Sequence, residues 1–375
     1  MPWREVNTVT LRQEFVQLVQ AGGVGVSELC DRFQISRKTG YKWLARAAAG
    51  EPLSDRSRRP RRSPARITAA VESAIVRERQ AHPAWGARKL RWVLRQQGLQ
   101  PPASATVHAV LRRHNLIDGS AGAAHRSWMR FEHAAPNDLW QMDFKGNFAL
   151  RTGRCHPLTV LDDHSRYNLA LQSCGNEQTE TVRTHLTGAF RLYGLPWRMT
   201  MDNGSPWGAD AWHELTPLTV WLIQLGIGVS HSRPYHPQTQ GKDERFHRTL
   251  KAEVLIGRTF ADCAEAQRAF DVWRDVYNTE RPHQALGMAV PAQRYRPSAR
   301  AYPEQLPLIE YGPDDGVRKV QAEGWISFQG HDIRVPRALR GERVAVRPVN
   351  IDGLYEVYFC HQLVAEVDLK TPTVN

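Results

Sequence analysis

The chain has no apolar run approaching the roughly 20 residues that a membrane-spanning helix needs. Residues 1–5 also lack the apolar stretch of a secretory signal. Cysteine is scarce, with five scattered residues among 375 and no CxxC pair. These absences argue against a membrane protein, a disulfide scaffold and a zinc site built on cysteine. We therefore expect a chain with no membrane partner in a reducing, cytoplasmic location.

Acidic residues are sparse only in the first third of the chain. Residues 1–130 hold 23 Lys and Arg against 9 Asp and Glu, a balance of +14. The rest of the chain holds 27 against 29, a balance of −2, which accounts for the overall +12. A basic region favours a nucleic-acid partner, because neutralising phosphates releases counterions. A merely solvated basic surface is the alternative. The length predicts two to four domains.

The first 49 residues have the pattern of a helix-turn-helix domain. Three short helices are predicted over residues 8–47, and Ser36 stands where it can cap the third one. That third helix directs Trp43 inward and presents polar and basic side chains outward. A generic three-helix bundle is the alternative, but a basic second helix after a tight turn is typical of major-groove binding. The predicted DNA-binding residues are Arg37, Lys38, Tyr41 and Lys42.

Residues 50–65 form a predicted linker, because proline and dense like charge prevent a regular element. An extended arginine-rich arm suits the narrow minor groove, and a neutral spacer is the alternative. Its predicted DNA-binding residues are Arg56, Arg58, Arg59, Arg61 and Arg62. Residues 66–118 repeat the helical theme, with Ser104 expected to cap a last helix that carries Arg112 and Arg113. We interpret this segment as a second helix-turn-helix-like domain.

Beyond residue 130 the pattern changes from helical to strand-like. In residues 140–145, Trp140, Met142 and Phe144 alternate with polar residues, which predicts a two-faced strand. Two further strands and then alternating helices and strands predict a mixed sheet covered by helices on both faces. Residues 316–371 contain short strands with glycine turns and predict a small β-barrel-like domain. The expected fold is thus a multidomain α/β chain with all-α modules first.

Three acidic residues stand where packing does not explain them. Asp143 lies within a predicted strand, Asp202 follows a strand, and Glu244 opens a helix. The intervals between them contain 58 and 41 residues. Carboxylates are the oxygen ligands that a hard cation such as Mg²⁺ prefers. No predicted thiolate or histidine cluster competes for the metal.

Five stretches in chain order carry a resemblance to a known family. They are Trp140-Gln141-Met142-Asp143, Asp162-Asp163-His164-Ser165-Arg166, Asp202-Asn203-Gly204-Ser205, His236-Pro237-Gln238-Thr239-Gln240-Gly241 with Glu244-Arg245, and Tyr277-Asn278-Thr279-Glu280-Arg281-Pro282-His283-Gln284-Ala285-Leu286. Together they cover roughly residues 130–295, and they resemble the DDE transposases of bacterial insertion sequences, whose core is similar to retroviral integrases. The resemblance implies a ribonuclease-H-like catalytic core over residues 130–298.

By this resemblance, Asp143, Asp202 and Glu244 are the catalytic residues and the metal ligands. Asp143 would bridge two Mg²⁺ ions, Asp202 and Glu244 would each hold one, and Mn²⁺ would substitute. The second interval is longer than in many relatives, which implies an insertion near residues 208–216. Arg248 and Lys251 share a helix face with Glu244, so they are predicted to contact DNA, with a solvated face as the alternative.

Other carboxylates near the motifs have simpler interpretations. Asp162 and Asp163 end a strand, where hydrogen bonds within a turn explain them. Asp243 precedes Glu244, but one helical step turns its side chain about 100° away, so both cannot point into one site. Arg281 and His283 are equally compatible with DNA contact and with helix-end structure.

The resemblance therefore implies a transposase that acts on double-stranded DNA. It would bind the terminal inverted repeats of an element through residues 1–118, free a 3′-hydroxyl by hydrolysis and join it to target DNA. Synapsis of two ends implies a homodimer or higher oligomer, associated with the bacterial nucleoid when bound to DNA. A ribonuclease-H-like nuclease without strand transfer and a catalytically inactive DNA-binding regulator are the alternatives.

Overall fold

The computed structural model describes residues 7–57, 67–117, 132–208, 215–231 and 241–370. The chain divides into two compact units, Met1–Arg66 and Ile67–Asn375. Within the described ranges, no helix is both long enough and apolar enough to cross a membrane. Of the linker predicted at residues 50–65, the structure describes residues 50–57.

The first unit contains three helices, α1 (Thr8–Ala21), α2 (Val26–Arg32) and α3 (Arg37–Ala48). As predicted, Ser36 caps α3, since its side chain accepts a hydrogen bond from the Thr39 amide at 3.2 Å. Phe15, Leu29 and Trp43 are buried between the helices. Gly40 is required by this packing, because a Cβ there would lie 2.6 Å from the Cys30 Sγ.

The second unit begins with three more helices, α4 (Ala69–Ala81), α5 (Ala87–Gln96) and α6 (Ser104–Arg113). Ile75, Leu90 and Leu94 are fully buried among them. Ser104 is the first residue of α6 and not its cap, because Ala103 occupies the cap position and makes no side-chain bond. The expectation for Ser104 was therefore wrong by one residue.

A mixed sheet forms the centre of the second unit. Its strands are β1 (Trp140–Phe144), β2 (Phe148–Ala149), β3 (Arg154–Asp162), β4 (Asn168–Cys174), β5 (Arg198–Met201) and β6 (Gly228–His231). The order is β2-β3-β1-β5-β6, with β4 also paired to β3. Strand β1 runs antiparallel to β3 and parallel to β5. The central strand β1 therefore places its side chains between two sets of helices.

Helices cover both faces of the sheet, as the sequence predicts. Trp140, Met142 and Phe144 share one cluster with residues of α7 (Thr179–Tyr193) and α8 (Pro217–Gln224). Leu161 and Leu171 share another with α9 (Gly241–Leu250) and α10 (Cys263–Thr279). A π-helical turn, Lys251–Leu255, directly follows α9. Sequence periodicity did not indicate that turn.

The last described region is a small β domain. Its strands are β7 (Gly316–Lys319), β8 (Trp325–Phe328), β9 (His331–Arg334), β10 (Arg343–Pro348), β11 (Leu354–Phe359) and β12 (Gln362–Asp368). Four of them form a sheet in the order β12-β11-β10-β7, and β8 pairs with β9 as a hairpin. A small β domain is thus confirmed, but its described strands form an open sheet and a hairpin, without closing into a barrel.

Candidate active site

Asp143 lies on β1, at the centre of the sheet, and faces away from the Trp140 cluster. Asp143 is paired with Thr159 of the neighbouring strand β3, and the Thr159 hydroxyl donates a hydrogen bond to the Asp143 carbonyl oxygen at 2.9 Å. The side chain is 22% exposed, so the carboxylate can be reached from solvent. The alternation of the strand, visible in the sequence, therefore gave the correct face.

Asp202 directly follows β5, the strand parallel to β1. Its Oδ1 accepts a hydrogen bond from the Gly204 amide at 2.9 Å and another from the Trp207 indole. Its carbonyl oxygen lies 2.8 Å from Nδ1 of His231 on β6. Neighbouring parallel strands end at one edge of a sheet, which brings Asp202 towards Asp143.

Glu244 lies in the first turn of α9 and is exposed, whereas the preceding Asp243 is buried. One Asp243 oxygen, Oδ1, has no hydrogen-bond partner among the described residues. Burial raises the pKa of Asp243 well above its ordinary value, and the negative charges of Asp143 and Asp163 add to this. The two acids thus occupy different environments, as the helical step predicts, and Glu244 is the one open to solvent.

Electrostatics connect the three predicted carboxylates. Burial raises the pKa of Asp143 to about 7, and the charge of Asp202 is the next cause. Glu177 and Glu244 act in the same direction, while the backbone amide of Phe144 lowers the pKa. Like charges in a partly buried site favour a proton or a cation between them. The structure therefore brings these carboxylates into one electrostatic cluster.

His247 is a neighbour of Asp143 that the sequence reasoning missed. Its Nδ1 lies 3.8 Å from the Asp143 Oδ2, and its Nε2 lies 2.9 Å from the Thr159 hydroxyl. The Thr159 hydroxyl already donates its proton to the Asp143 carbonyl oxygen. The His247 Nε2 therefore carries the ring proton and donates to that hydroxyl, and Nδ1 carries the lone pair. Burial lowers the pKa of His247 to about 4, with the Lys145 charge a smaller cause, so the ring is neutral at pH 7. Its position three residues after Glu244 on the same helix is the sequence signal that could have identified it.

Oxygen donors of this kind fit a hard divalent cation such as Mg²⁺. Within the part of the chain that the structure describes, no three His, Cys, Asp or Glu side chains are grouped closely enough to hold one ion together. Mg²⁺ is commonly held by only one or two carboxylates, with water and substrate phosphate completing its shell. Carboxylates therefore suit Mg²⁺ by their chemistry, with water and substrate oxygens completing its shell.

The turn after β3 has a structural role. Asp162 accepts hydrogen bonds from the Ser165 amide at 2.7 Å and the Asn137 amide at 2.7 Å. Asp163 is bonded to Lys242 Nζ at the start of α9 and to the Gln141 side chain. These contacts support the turn interpretation of both aspartates, and they also anchor the helix that carries Glu244.

The basic residues near the core fall into two groups. Arg248 and Lys251 are exposed beyond Glu244, although the π-helical turn begins at Lys251 and alters the simple helical spacing. Arg281 is buried, and its Nε donates to Glu253 at 3.0 Å. Burial also lowers the pKa of His283 well below its ordinary value. Helix-end structure therefore explains Arg281 and His283.

The predicted DNA-binding residues of the helical modules differ in their exposure and in their ion pairs. Four on α3 are exposed: Arg37, Lys38, Tyr41 and Lys42. Arg56 pairs with Glu51, and Arg113 pairs with Glu72, whereas Arg112 is exposed. The remaining arm residues lie outside the described ranges: Arg58, Arg59, Arg61 and Arg62.

Family comparisons agree with this arrangement of modules. The chain matches a helix-turn-helix domain over residues 11–61 and a homeodomain-like domain over residues 39–111. It matches an integrase core domain over residues 133–237, and a second description of that core over residues 225–291. The fold and site thus define a helix-turn-helix protein with an integrase core.

The family match at the C-terminal end of the chain narrows the class of protein further. Residues 315–375 match the C-terminal domain of the IS481 family of transposases. The chain is 26% identical, over 61% of its length, to the uncharacterized 39.2 kDa protein of insertion element IS476 from Xanthomonas euvesicatoria. It is 22% identical, over 94% of its length, to the candidate transposase of insertion sequence element IS5376 from Geobacillus stearothermophilus. These matches and similarities support a transposase of insertion sequences.

These alignments span 66% of the IS476 protein and 86% of the IS5376 protein. Among solved structures, a chain of the simian T-cell lymphotropic virus intasome in complex with PP2A regulatory subunit B56 gamma is 15% identical, with a TM-score of 0.36. That similarity covers 78% of this chain and 99% of the other, and at this level of superposition it adds nothing to the assignment.

Proposed function

We propose that the chain is a Mg²⁺-dependent enzyme that cleaves the ends of an insertion sequence and joins the freed 3′-hydroxyl to target DNA. The electrostatic cluster around Asp143 carries this proposal. The pKa of Asp143 is raised to about 7, by burial first and then by neighbouring acids that include Asp202 and Glu244. A cation removes that repulsion, and phosphodiester chemistry supplies the substrate oxygens that complete its shell.

In this proposal Asp143 would help to hold both Mg²⁺ ions, and Asp202 and Glu244 would each help to hold one of them. Bound Mg²⁺, with Mn²⁺ as a substitute, would supply charge for the attacking and leaving oxygens. The protein holds the ligands in place: β1 fixes Asp143, the end of β5 fixes Asp202, and the Asp163–Lys242 pair anchors the start of α9.

Exposed basic residues would hold the DNA strands. Arg248 and Lys251 lie on the same helical segment as Glu244, so they can contact phosphates beside the reacting bond. On α3 the four exposed groove-facing residues would recognise the terminal inverted repeats, and the arginine arm would follow the minor groove. In the second module Arg112 is the better candidate than Arg113, because Glu72 already pairs with Arg113.

Synapsis of two ends would require at least a homodimer on DNA, in the cytoplasm and in contact with the nucleoid. The proposed domain limits are residues 1–49, 66–118, 130–298 and 316–371, joined by the basic linker at 50–65. Val276 of α10 packs against the α4–α6 cluster, a contact that supports cooperation between the second module and the core.

The experiment uses duplexes that contain the element ends, and it measures end binding, cleavage and joining separately. Asp143→Asn, Asp202→Asn and Glu244→Gln should each abolish cleavage and joining and leave end binding near wild type. Wild-type cleavage without joining would favour a ribonuclease-H-like nuclease. Binding by the wild type without either reaction would favour a regulator, and strand transfer by a variant would remove its residue from the site.

A further inference from the structure

We propose that Trp207 is a positioning residue for Asp202, an inference that rests on the proposed metal-dependent function. Its indole Nε1 donates a hydrogen bond to Oδ1 of the Asp202 carboxylate. The Gly204 amide donates to the same oxygen at 2.9 Å. Two donors on one oxygen fix the side-chain rotamer and leave the lone pairs of Oδ2 for a cation. The carboxylate is therefore oriented before any ligand arrives.

The loop from Asp202 to Gly208 is folded tightly around that carboxylate. A Cβ added to Gly204 would lie 3.2 Å from the Asp202 Oδ1, closer than most real contacts. The Gly208 amide donates to the Gly204 carbonyl oxygen at 2.7 Å, and a Cβ on Gly208 would lie 2.2 Å from the Asn203 carbonyl oxygen. Both glycines therefore allow the indole to reach back to Asp202.

Trp207 also contacts the strand that carries Asp143. Its ring is 1% exposed and stacks on Phe144, with centroids 5.2 Å apart and planes 16° apart. Phe144 is the residue after Asp143, so one buried side chain joins the ends of β1 and β5. The contact fixes the separation of the two aspartates as well as the orientation of one of them. Partners that orient metal ligands in this way typically change metal affinity or activity by about 10–100-fold when they are removed.

A second tryptophan in the same core provides a matched control. Trp221 on α8 is 4% exposed and belongs to the same hydrophobic cluster as Trp207. Its indole nitrogen is buried and has no hydrogen-bond partner among the residues that the structure describes. Replacing either tryptophan with phenylalanine keeps an aromatic ring in the core. Only the change at position 207 removes a hydrogen bond to a carboxylate.

The experiment titrates Mn²⁺ into the full chain by calorimetry, and measures Tm in EDTA for each variant. We expect Trp207→Phe to bind Mn²⁺ about 10–100-fold more weakly than wild type, with Trp221→Phe unchanged. Higher Mg²⁺ should restore strand transfer by Trp207→Phe. If Trp207→Phe binds Mn²⁺ like wild type while Asp202→Asn does not, the positioning role is wrong and the metal site stands. If Asp202→Asn also binds normally, the proposed metal ligand fails as well.

A measurement on the unmutated chain covers the case in which Trp207→Phe does not fold. The indole N–H resonance of Trp207 can be assigned by ¹⁵N labelling and by through-space contacts with Phe144, which stacks on its ring. Diamagnetic Mg²⁺ replaces Mn²⁺ in this measurement. We expect the Trp207 resonance to shift between EDTA and saturating Mg²⁺, while the Trp221 resonance stays in place. An unmoved Trp207 resonance at saturating Mg²⁺ overturns the proposal.

Discussion

Two pairs of aspartates lie close together in the core, and their surroundings differ sharply. Asp162 and Asp163 are almost fully buried, yet amides, a hydroxyl and a lysine donate to their oxygens. Asp143 is more exposed, but other acids lie around it. No cationic group is among the causes that set its pKa, so none offsets the effect of burial. Among the described residues, Asp202 accepts from two donors, both on Oδ1. Burial raises the pKa of Asp162 as it does that of Asp143, but donated hydrogen bonds oppose it at Asp162, whereas neighbouring acids add to it at Asp143.

This difference distinguishes structural carboxylates from the proposed metal ligands. A buried carboxylate surrounded by donors is stable as an anion and needs no further partner. A carboxylate that faces other carboxylates is destabilised as an anion, and it gains from a cation. Sites that are strained in this way are frequent where catalysis takes place. Variants of each pair should therefore change different properties of the protein.

The largest effect on stability is expected at the first pair. Asp163→Asn leaves the buried Lys242 without its carboxylate partner, which should cost about 3–5 kcal/mol of unfolding free energy. Chemical denaturation of the second unit measures this loss. The double variant Asp163→Asn, Lys242→Met should recover much of it, because no uncompensated charge then remains. A stability equal to wild type in the single variant would remove the distinction drawn between the pairs.

A smaller effect is expected on DNA binding, where the same contrast applies to basic residues of the first unit. Lys38 and Lys42 are exposed, whereas Arg46 donates to Glu51 and to the Ser54 carbonyl oxygen. Lys38→Ala or Lys42→Ala should weaken end binding by about 1–3 kcal/mol if the residue contacts a base. Arg46→Ala should mainly lower Tm. Footprints unchanged in both lysine variants would move recognition to residues 87–113.

The pH dependence of cation binding should follow Asp143. Its pKa near 7 means that a proton competes with the cation at pH 6 and hardly at pH 8. We expect apparent Mg²⁺ affinity to rise about tenfold between these pH values. Calorimetry in buffers of matched ionic strength measures the change. Asp143→Asn should show neither the binding nor this dependence, and an affinity independent of pH in the wild type would contradict the account.

A separate effect is expected on the stability of the cation-free protein. Because the folded state raises the pKa of Asp143 above its ordinary 3.8, it binds this proton more tightly than the unfolded chain. The stabilisation is complete below about pH 4 and is lost as the pH rises towards 7. In EDTA, Asp143→Asn should therefore gain stability relative to wild type as the pH rises over that range. A constant difference in Tm would show that Asp143 has an ordinary pKa.

Local features of the fold could be predicted because local rules determine them. The cap at Ser36 and the alternation around Asp143 both depend on neighbouring residues. The π-helical turn, the short strand β2 and the pairing of β7 with β10 depend on tertiary packing, and sequence periodicity did not indicate them.

The same division applies to the site. Asp143, Asp202 and Glu244 were identified by motif, and their type and spacing are visible along the chain. The partners of those residues come from distant segments: Thr159 reaches His247 across 88 positions, and Lys242 reaches Asp163 across 79. No periodic pattern records such contacts. The indole of Trp207 is nearer in sequence, but only the folded loop directs it back to Asp202.

The central claim is that exposed carboxylates facing one another, and not simply acidic residues near the sheet, carry the chemistry. Neighbouring residues on α9 test it most directly, since Glu244 is exposed and Asp243 is buried. Strand transfer with end-containing duplexes should be abolished by Glu244→Gln and retained by Asp243→Asn, with end binding intact in both. Joining at the wild-type rate by Glu244→Gln, together with an inactive but folded Asp243→Asn, would contradict the account.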